Sequence, residues 1–298
     1  MKLATEYNRP PWVDQKLIKR ASMRYILPIT YCLAAAGLLG LITLPALAQE
    51  ASTDATESRQ ASSATNTESP LPKSITALVD QGFTFHGSFE APDGLQGYAL
   101  SYDNEPMAAY ISSSSDYAVI GTLIDPQGNA VMESQLQALV LDPMLEATWS
   151  AFENTRFISE GNDDASHIVY TLTDPNCPYC NALWKNSRPL IEQGVLQLRH
   201  VLVGVLSEDS LRKAAAILES DNPASALETH ELEFRNGGIR PVEPSEESQA
   251  LLRNHAQIMR EAGATGTPTS YYRDEAGKVQ RINGAVSTDQ FREILGVE

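Results

Sequence analysis

Cysteine is scarce in this sequence, and its few positions argue against both a structural disulfide and a zinc site. The 298 residues hold three cysteines, and two of them, Cys177 and Cys180, stand together in the stretch DPNCPYC. A disulfide closing so short a loop stabilises a fold by only about 2 kcal/mol, against roughly 4.7 kcal/mol for a 100-residue loop. A structural zinc site needs four ligands, but the sequence has no second cysteine pair and no H-x₃₋₅-H histidine spacing. Neither a structural staple nor a zinc site is a good explanation of the pair.

Positive charge is also in short supply. The chain has 22 Lys and Arg against 38 Asp and Glu, a formal net charge of −16. Nucleic acid and anionic membrane surfaces are poor partners for such a field. The same acidic balance keeps a protein soluble, so it does not by itself indicate a ligand.

The N-terminus carries an export signal. An apolar run from Tyr25 to Ala48 follows several basic residues and ends in an Ala-Leu-Ala site before a polar residue. This order is typical of a cleaved secretory signal peptide and predicts one over residues 1–48, with Met23 an alternative start. An uncleaved transmembrane anchor is the alternative, since 24 mostly apolar residues can cross a bilayer. Either way the rest of the chain is exported, to the periplasm in our interpretation, and Cys32 leaves with the signal.

The next two segments differ sharply in composition. Residues 49–72 are rich in Ser, Thr and Ala without apolar periodicity, which predicts a disordered tether. Residues 73–130 then place Phe83, Phe85 and Phe89 at alternate positions, the pattern of a half-buried strand. Further short apolar runs separated by Gly, Pro, Asp and Ser clusters complete a small antiparallel meander. So small a unit buries its apolar face poorly alone, so we expect it to dimerise with a second copy.

A helical linker over residues 131–143 is predicted next, with a break near Asp142 and Pro143. Beyond it, residues 144–298 alternate buried strands with helices, as expected of a compact α/β domain. The predicted strands are 168–174 and 196–205, the predicted helices are about 177–192, 209–220, 223–235 and 245–262, and a hairpin and a last helix end the chain. The fold class is therefore a two-domain α+β and α/β protein.

The position of the dithiol favours redox chemistry. Cys177 directly follows a buried strand and opens a helix, where unpaired amides and the helix dipole favour negative charge. Such settings lower a cysteine pKa from about 8.5 to between about 3.5 and 7.5. Cys180 lies one turn further on the same side, placed to attack a mixed disulfide at Cys177. Pro178 is tolerated at the first helical position because its missing N–H would have had no partner.

Two stretches, TDPNCPYC and ATGTPTSYY at 264–272, carry a resemblance to a known family. With the signal, the small β-domain and the linker, the chain resembles the DsbC/DsbG family of thioredoxin-fold proteins over about residues 73–298. The resemblance implies a cystatin-like dimerisation domain, a helical linker and a thioredoxin-like redox domain with a helical insertion. It also implies a homodimer, and a cis-proline at Pro268 facing the cysteines, with the backbone of Thr267 free to pair with substrate.

The family resemblance implies a reaction as well. Such a protein is kept reduced by a DsbD-type membrane reductase, and it reduces sulfenylated or isomerises wrongly bonded cysteines in periplasmic clients. No metal or cofactor is expected. Two alternatives stay open: a net disulfide donor like DsbA, and a holdase chaperone with secondary redox activity.

Two more residues beside the dithiol are candidates for substrate binding or tuning. Asp174 could tune the thiols or relay a proton, although an Asp before Pro at a strand end is also a common turn residue. Tyr179 lies between the cysteines and is expected to face the client.

Overall fold

The computed structural model describes residues 70–297 of the chain. The predicted signal peptide, Cys32 and residues 49–69 of the predicted tether lie outside this range. The helices of the described part are α1 Lys73–Asp80, α2 Glu133–Leu136, α3 Asp142–Glu153, α4 Pro178–Glu192, α5 Glu208–Leu218, α6 Pro223–Leu232, α7 Glu246–Glu261 and α8 Thr288–Leu295. Its strands are β1 Thr84–Glu90, β2 Leu95–Tyr102, β3 Glu105–Ser112, β4 Ala118–Ile120, β5 Leu123–Ile124, β6 Ala130–Val131, β7 Ile158–Glu160, β8 His167–Thr173, β9 Leu196–Leu202, β10 Thr269–Arg273 and β11 Val279–Asn283.

The N-terminal sheet is an antiparallel meander in the order β1-β2-β3-β4. Along β1 the half-buried positions alternate with exposed ones, as the phenylalanine spacing predicts. Helix α1 packs on the sheet through Ile75, which lies in one cluster with Tyr98 and Leu100 of β2. The apolar run YAVIGTLI is divided, because β4 pairs with β3 whereas β5 pairs with β6 in a separate hairpin.

The predicted break near Asp142 and Pro143 is wrong. Residues 133–153 are helical throughout, with a π-helical stretch over Gln137–Leu141 between α2 and α3. Asp142 itself has helical φ and ψ of −58° and −48°. Pro143 donates no hydrogen bond inside this continuous helix, and the wider π turn before it accommodates the missing bond and the change of register.

The second sheet has five strands in the order β11-β10-β8-β9-β7, and only β8 and β9 run parallel among them. Alternate residues of β8 face opposite layers. Val169 packs with Leu183 of α4 and Phe291 of α8, whereas Tyr170 packs with Phe152 of α3 on the other side. The sheet is therefore covered on both faces, as its continuous apolar strand predicts.

The insertion, which we define as helices α5, α6 and α7 between β9 and β10, packs on the edge of this sheet. The apolar faces of all three helices form one core with Ile158 of β7 and Leu202 of β9, and Ile217 and Leu227 are fully buried in it. The bounds of these helices lie within three residues of those predicted. No helix within residues 70–297 is both long and apolar enough to cross a membrane.

The strand predicted over 196–205 ends earlier, at Leu202. The amide of Val203 still donates to the carbonyl of Thr173 at 2.9 Å, and beyond it the amides of Val205 and Leu206 donate to the side chain of Asp174. Gly204 packs directly on α5, where a Cβ would lie 2.5 Å from the Cα of Leu211. The residues after β9 therefore reach the end of β8 instead of extending the sheet.

Candidate active site

The active-site loop, residues 174–177, joins the end of β8 to the start of α4. Cys177 is the N-cap of α4, with extended φ and ψ of −86° and 113°. Its Sγ accepts a hydrogen bond from the amide of Cys180 at 3.3 Å. Pro178 occupies the first turn, as predicted. A sulfur in this position accepts a hydrogen bond from an amide that has no backbone partner in the first helical turn.

The two thiols differ in their acidity. Hydrogen bonding from the Cys180 side chain, helped by the amides of Cys180 and Tyr179, lowers the pKa of Cys177 to about 6 despite burial, which acts against it. Burial raises the pKa of Cys180 far above its ordinary value, and the neighbouring Cys177 adds to the effect. Near neutral pH Cys177 is therefore a thiolate and Cys180 keeps its proton. The two thiols therefore differ in their readiness to react near neutral pH.

Thr267 and Pro268 lie against the dithiol, although they are far away in sequence. The peptide bond between them is cis, as the resemblance implied. The carbonyl oxygen of Thr267 lies 3.2 Å from the Sγ of Cys177, a contact that the protonated thiol can make as donor. These residues and both cysteines thus come together at one end of the sheet.

Asp174 is fully buried and serves as an acceptor for three backbone amides. Its Oδ1 accepts from Asn176 at 2.9 Å, and its Oδ2 accepts from Val205 at 2.9 Å and Leu206 at 3.0 Å. The carboxylate therefore ties the active-site loop to the residues after β9. The contacts explain Asp174 as a residue that holds the backbone beside Cys177.

Tyr179 is 65% exposed at the mouth of the site. Val205 and Leu206, on the segment held by Asp174, are exposed by 46% and 54%. All three apolar side chains are accessible to a bound protein, and we call Tyr179, Val205 and Leu206 the apolar rim.

Sequence reasoning missed the residues that hold Asn176, the residue immediately before Cys177. Its side-chain nitrogen Nδ2 lies within hydrogen-bond distance of the side-chain oxygens of Ser207, Asp209 and Ser210, at 3.0–3.2 Å. Its oxygen accepts from the Nζ of Lys213 at 2.8 Å. A lone Asn in a loop is too common to be noticed, and its partners lie at the start of α5, more than 30 positions further on.

Helix α4 is held from below by an ion cluster around Glu160 of β7. Arg188 makes two bonds of 2.9 Å to this carboxylate, and His200 and Trp184 reach it at 2.8 and 3.1 Å. Burial alone would raise the pKa of Glu160, but the bond from His200 and the charge of Arg188 lower it to about 2. The charged carboxylate fixes the helix that carries the dithiol.

A second contact holds the first turn of α4 against the insertion. The side-chain amide of Asn181 donates to both the carbonyl and the carboxylate of Glu231 at 2.7 Å, and it accepts from Lys185. Burial raises the pKa of Glu231.

Within residues 70–297 no group of three or more His, Cys, Asp or Glu side chains is arranged to hold a metal ion.

Comparison with known proteins identifies the family of this chain. A family model described as a thioredoxin-like domain matches residues 159–296. The chain is 38% identical to the thiol:disulfide interchange protein DsbG of Pseudomonas aeruginosa over 228 residues, which are 76% of this chain and 89% of that protein. DsbG of Escherichia coli is 30% identical over 229 residues, 76% of this chain and 92% of that protein. The chain belongs to the DsbG family.

Solved structures similar to this DsbG-family chain include the catalytic domain of ScsC from Proteus mirabilis. That structure has a TM-score of 0.42 at 21% identity and covers 52% of this chain and 96% of its own. Helicobacter pylori DsbG has a TM-score of 0.37 at 17% identity and covers 66% and 98%. The DsbG-family chain is a thiol:disulfide oxidoreductase with a thioredoxin-like domain.

Proposed function

We propose that this DsbG-family chain reduces sulfenylated cysteines, and isomerises wrong disulfides, in proteins exported to the periplasm. The observation that carries the proposal is the pairing of a Cys177 thiolate, with its pKa lowered to about 6, and a buried Cys180 that keeps its proton. A reductant needs a nucleophile that is ready at neutral pH and a second thiol that reacts only after the first has done so.

The reaction on a sulfenic acid proceeds in two steps. The Cys177 thiolate attacks the client sulfur, forms a mixed disulfide and releases hydroxide. Cys180 then loses its proton and attacks the Sγ of Cys177, which frees the client thiolate and leaves a Cys177–Cys180 disulfide. The proton and hydroxide combine to water, so the client gains the two electrons that the dithiol loses.

Isomerisation uses the same first step on a client disulfide. The client thiolate released by Cys177 attacks another client disulfide, and a client thiolate finally displaces Cys177 unchanged. No electrons are consumed in that sequence. A DsbD-type membrane reductase would return two electrons to Cys177–Cys180 whenever Cys180 resolves the adduct instead.

The site is proposed to receive an extended client segment at Thr267. The carbonyl of this residue lies 3.2 Å from the nucleophilic sulfur, so a client strand paired there would bring its cysteine to Cys177. The apolar rim of Tyr179, Val205 and Leu206 is proposed to contact apolar client residues beside that cysteine. The exposure of these side chains supports this role.

A homodimer is proposed to form through the N-terminal sheet, residues 73–130. Strand β4 pairs on one side with β3, and Val119 on it is 68% exposed. An apolar edge strand favours pairing with another chain. Sedimentation of the mature protein should give a dimer, and Val119→Lys should shift it toward monomer. A parent protein that sediments as a monomer would contradict the dimer.

Net disulfide donation is the second candidate, because a stabilised thiolate also makes the disulfide form a stronger oxidant. The deciding experiment is the fraction of Cys177 and Cys180 found reduced in intact cells, by acid quenching and alkylation with a mass tag. We expect most of the pair to be reduced. A mostly oxidised pair would refute the reductase and make a disulfide donor the better assignment.

A further inference from the structure

The carbonyl of Pro175, in the active-site loop, is held by a histidine of the insertion. His230 lies on α6 and is almost fully buried. Its Nε2 donates to the Pro175 oxygen at 2.7 Å, and its Nδ1 accepts from the amide of Ile239 at 3.0 Å. A carbonyl only accepts and an amide only donates, so the ring must be neutral with its hydrogen on Nε2. Burial lowers the pKa of His230, which favours the same neutral form.

The peptide that His230 holds is the centre of the turn that presents Cys177. The amide of Cys177 donates to the carbonyl of Asp174 at 3.0 Å, which closes a four-residue turn. This bond fixes the two outer residues of the turn. The middle peptide, from Pro175 to Asn176, is held on both sides: its N–H donates to Asp174 Oδ1 at 2.9 Å, and His230 holds its carbonyl.

We propose that His230 is a positioning residue for thiol–disulfide exchange: it holds the Pro175–Asn176 peptide in the orientation in which the Cys177 sulfur meets the Cys180 amide. It acts through the loop and not on the sulfur itself. The proposal goes beyond the choice between reductase, isomerase and donor, because all three begin with attack by Cys177.

A glycine pair between α6 and α7 fits this role. Gly238 has a φ of +68°, and a Cβ there would lie 2.3 Å from the Nδ1 of His230. Its neighbour Gly237 has a φ of +100° but no atom within 4 Å of its Cβ position. Both positions favour glycine for backbone reasons, yet only Gly238 must lack a side chain for the imidazole to stay in place.

Two substitutions of His230 separate its two nitrogens. Glutamine carries an amide nitrogen to about the position of Nε2, so His230→Gln keeps the donor for Pro175. Asparagine is shorter and reaches only about as far as Nδ1, so His230→Asn loses that donor. The measurement is the alkylation rate of Cys177 in the reduced protein across pH, with the modified cysteine identified by mass spectrometry.

We expect His230→Asn to slow alkylation about threefold to tenfold near the Cys177 pKa, the effect of losing one hydrogen bond, and to move the midpoint of the profile upward. His230→Gln should stay within about twofold of the parent protein. An unchanged profile in His230→Asn would refute the proposal. Equal losses in both variants would also refute it, because they would mean that the ring acts by packing alone.

If thermal unfolding shows that both histidine variants fail to fold, substitutions of the two glycines test the role of His230 instead. Gly238→Ala should slow alkylation of Cys177 because its Cβ displaces the imidazole. Gly237→Ala is the matched control, with left-handed backbone strain but no contact with the ring. Equal alkylation rates in the two glycine variants would overturn the assignment.

Discussion

At the scale of single residues, two identical side chains do different chemistry because their surroundings differ. Cys177 at the N-cap receives hydrogen bonds from Cys180 and from backbone amides, which together lower its pKa to about 6. Cys180, one helical turn on, is buried and its pKa is raised. This difference supports the proposed roles, with Cys177 as the thiol that attacks a client near neutral pH and Cys180 as the thiol that resolves the adduct.

The contribution of Cys180 to the acidity of Cys177 can be tested directly. Because hydrogen bonding from the Cys180 side chain is the largest cause of the low pKa, Cys180→Ala should raise the pKa of Cys177 above about 6. Cys180→Ser should raise it less, since a hydroxyl still donates. The absorbance of the thiolate during pH titration measures both. Equal pKa values in the parent and Cys180→Ala would show that the Cys180 side chain does not stabilise the thiolate.

Removal of Cys180 should also trap clients. In Cys180→Ser the mixed disulfide at Cys177 cannot be resolved within the protein, so covalent adducts should accumulate on non-reducing gels. Cys177→Ser is the control and should form none, because its remaining thiol is buried and protonated. Adducts that persist in Cys177→Ser would assign the nucleophile to the other cysteine.

Asp174 is expected to matter for stability as well as for reactivity. Asp174→Asn replaces one of two acceptor oxygens with a donor that faces backbone amides, so the folded state should lose roughly 2–4 kcal/mol. Denaturant unfolding measures this loss. Asp125→Asn is the control, since that exposed carboxylate also accepts backbone amides in a turn, and it should cost measurably less. Equal losses would contradict a special role for the buried carboxylate.

At the scale of elements, the site is assembled where four pieces of chain meet. These are the start of α4, the segment before β10 that carries Thr267, the segment after β9 and the insertion. The helix and strand themselves follow local rules, such as the N-cap and the buried apolar run. The contacts among them do not, since they depend on how the insertion folds back over the loop.

The segment after β9 should affect clients more than the chemistry itself. Val205→Ser and Leu206→Ser remove apolar contact area from the rim, so the KM for an oxidised protein client should rise severalfold with little change in kcat. Rates with a small soluble disulfide should stay unchanged. Val79→Ser on α1 is a matched control of similar exposure. An unchanged KM for protein clients in both rim variants would remove the rim from client binding.

At the scale of the whole molecule, redox state and stability are linked through Cys177. The folded reduced protein holds this thiol with a pKa of about 6, whereas in the unfolded chain the value is about 8.5. The thiolate therefore stabilises the folded reduced form above the unfolded pKa. That contribution falls away as pH decreases through about 6.

The expected result is a pH-dependent gap between the two redox forms. The free energy of unfolding of the reduced protein, minus that of the oxidised protein, should rise by roughly 2–4 kcal/mol between pH 6 and pH 9. Denaturant unfolding of both forms across this range measures it. Cys177→Ala cannot form the disulfide. Its free energy of unfolding, measured with and without reductant, should show no difference that rises with pH. A gap that is flat or falls with pH would contradict a stabilised thiolate.

Much of the fold could be predicted from local pattern. The alternation of phenylalanines predicted β1, the continuous apolar run predicted β8, and the helices of the insertion were located within three residues of their ends. The errors have separate causes. β9 ends at Leu202 because the amides of Val205 and Leu206 bond to the Asp174 side chain instead of continuing the ladder, and Pro143 does not break its helix because a π turn, itself a local feature, precedes it.

The sequence by itself determined where the two thiols lie: three residues apart, at a strand end and a helix start. Those properties are local, because capping and the spacing of one helical turn involve near neighbours only. The family resemblance implied that Pro268 faces the cysteines, but only the tertiary structure decided the other contacts around them. His230 is 55 positions from Pro175, and Lys213 is 37 from Asn176. Contacts of such length arise from the packing of whole elements, which no short pattern records.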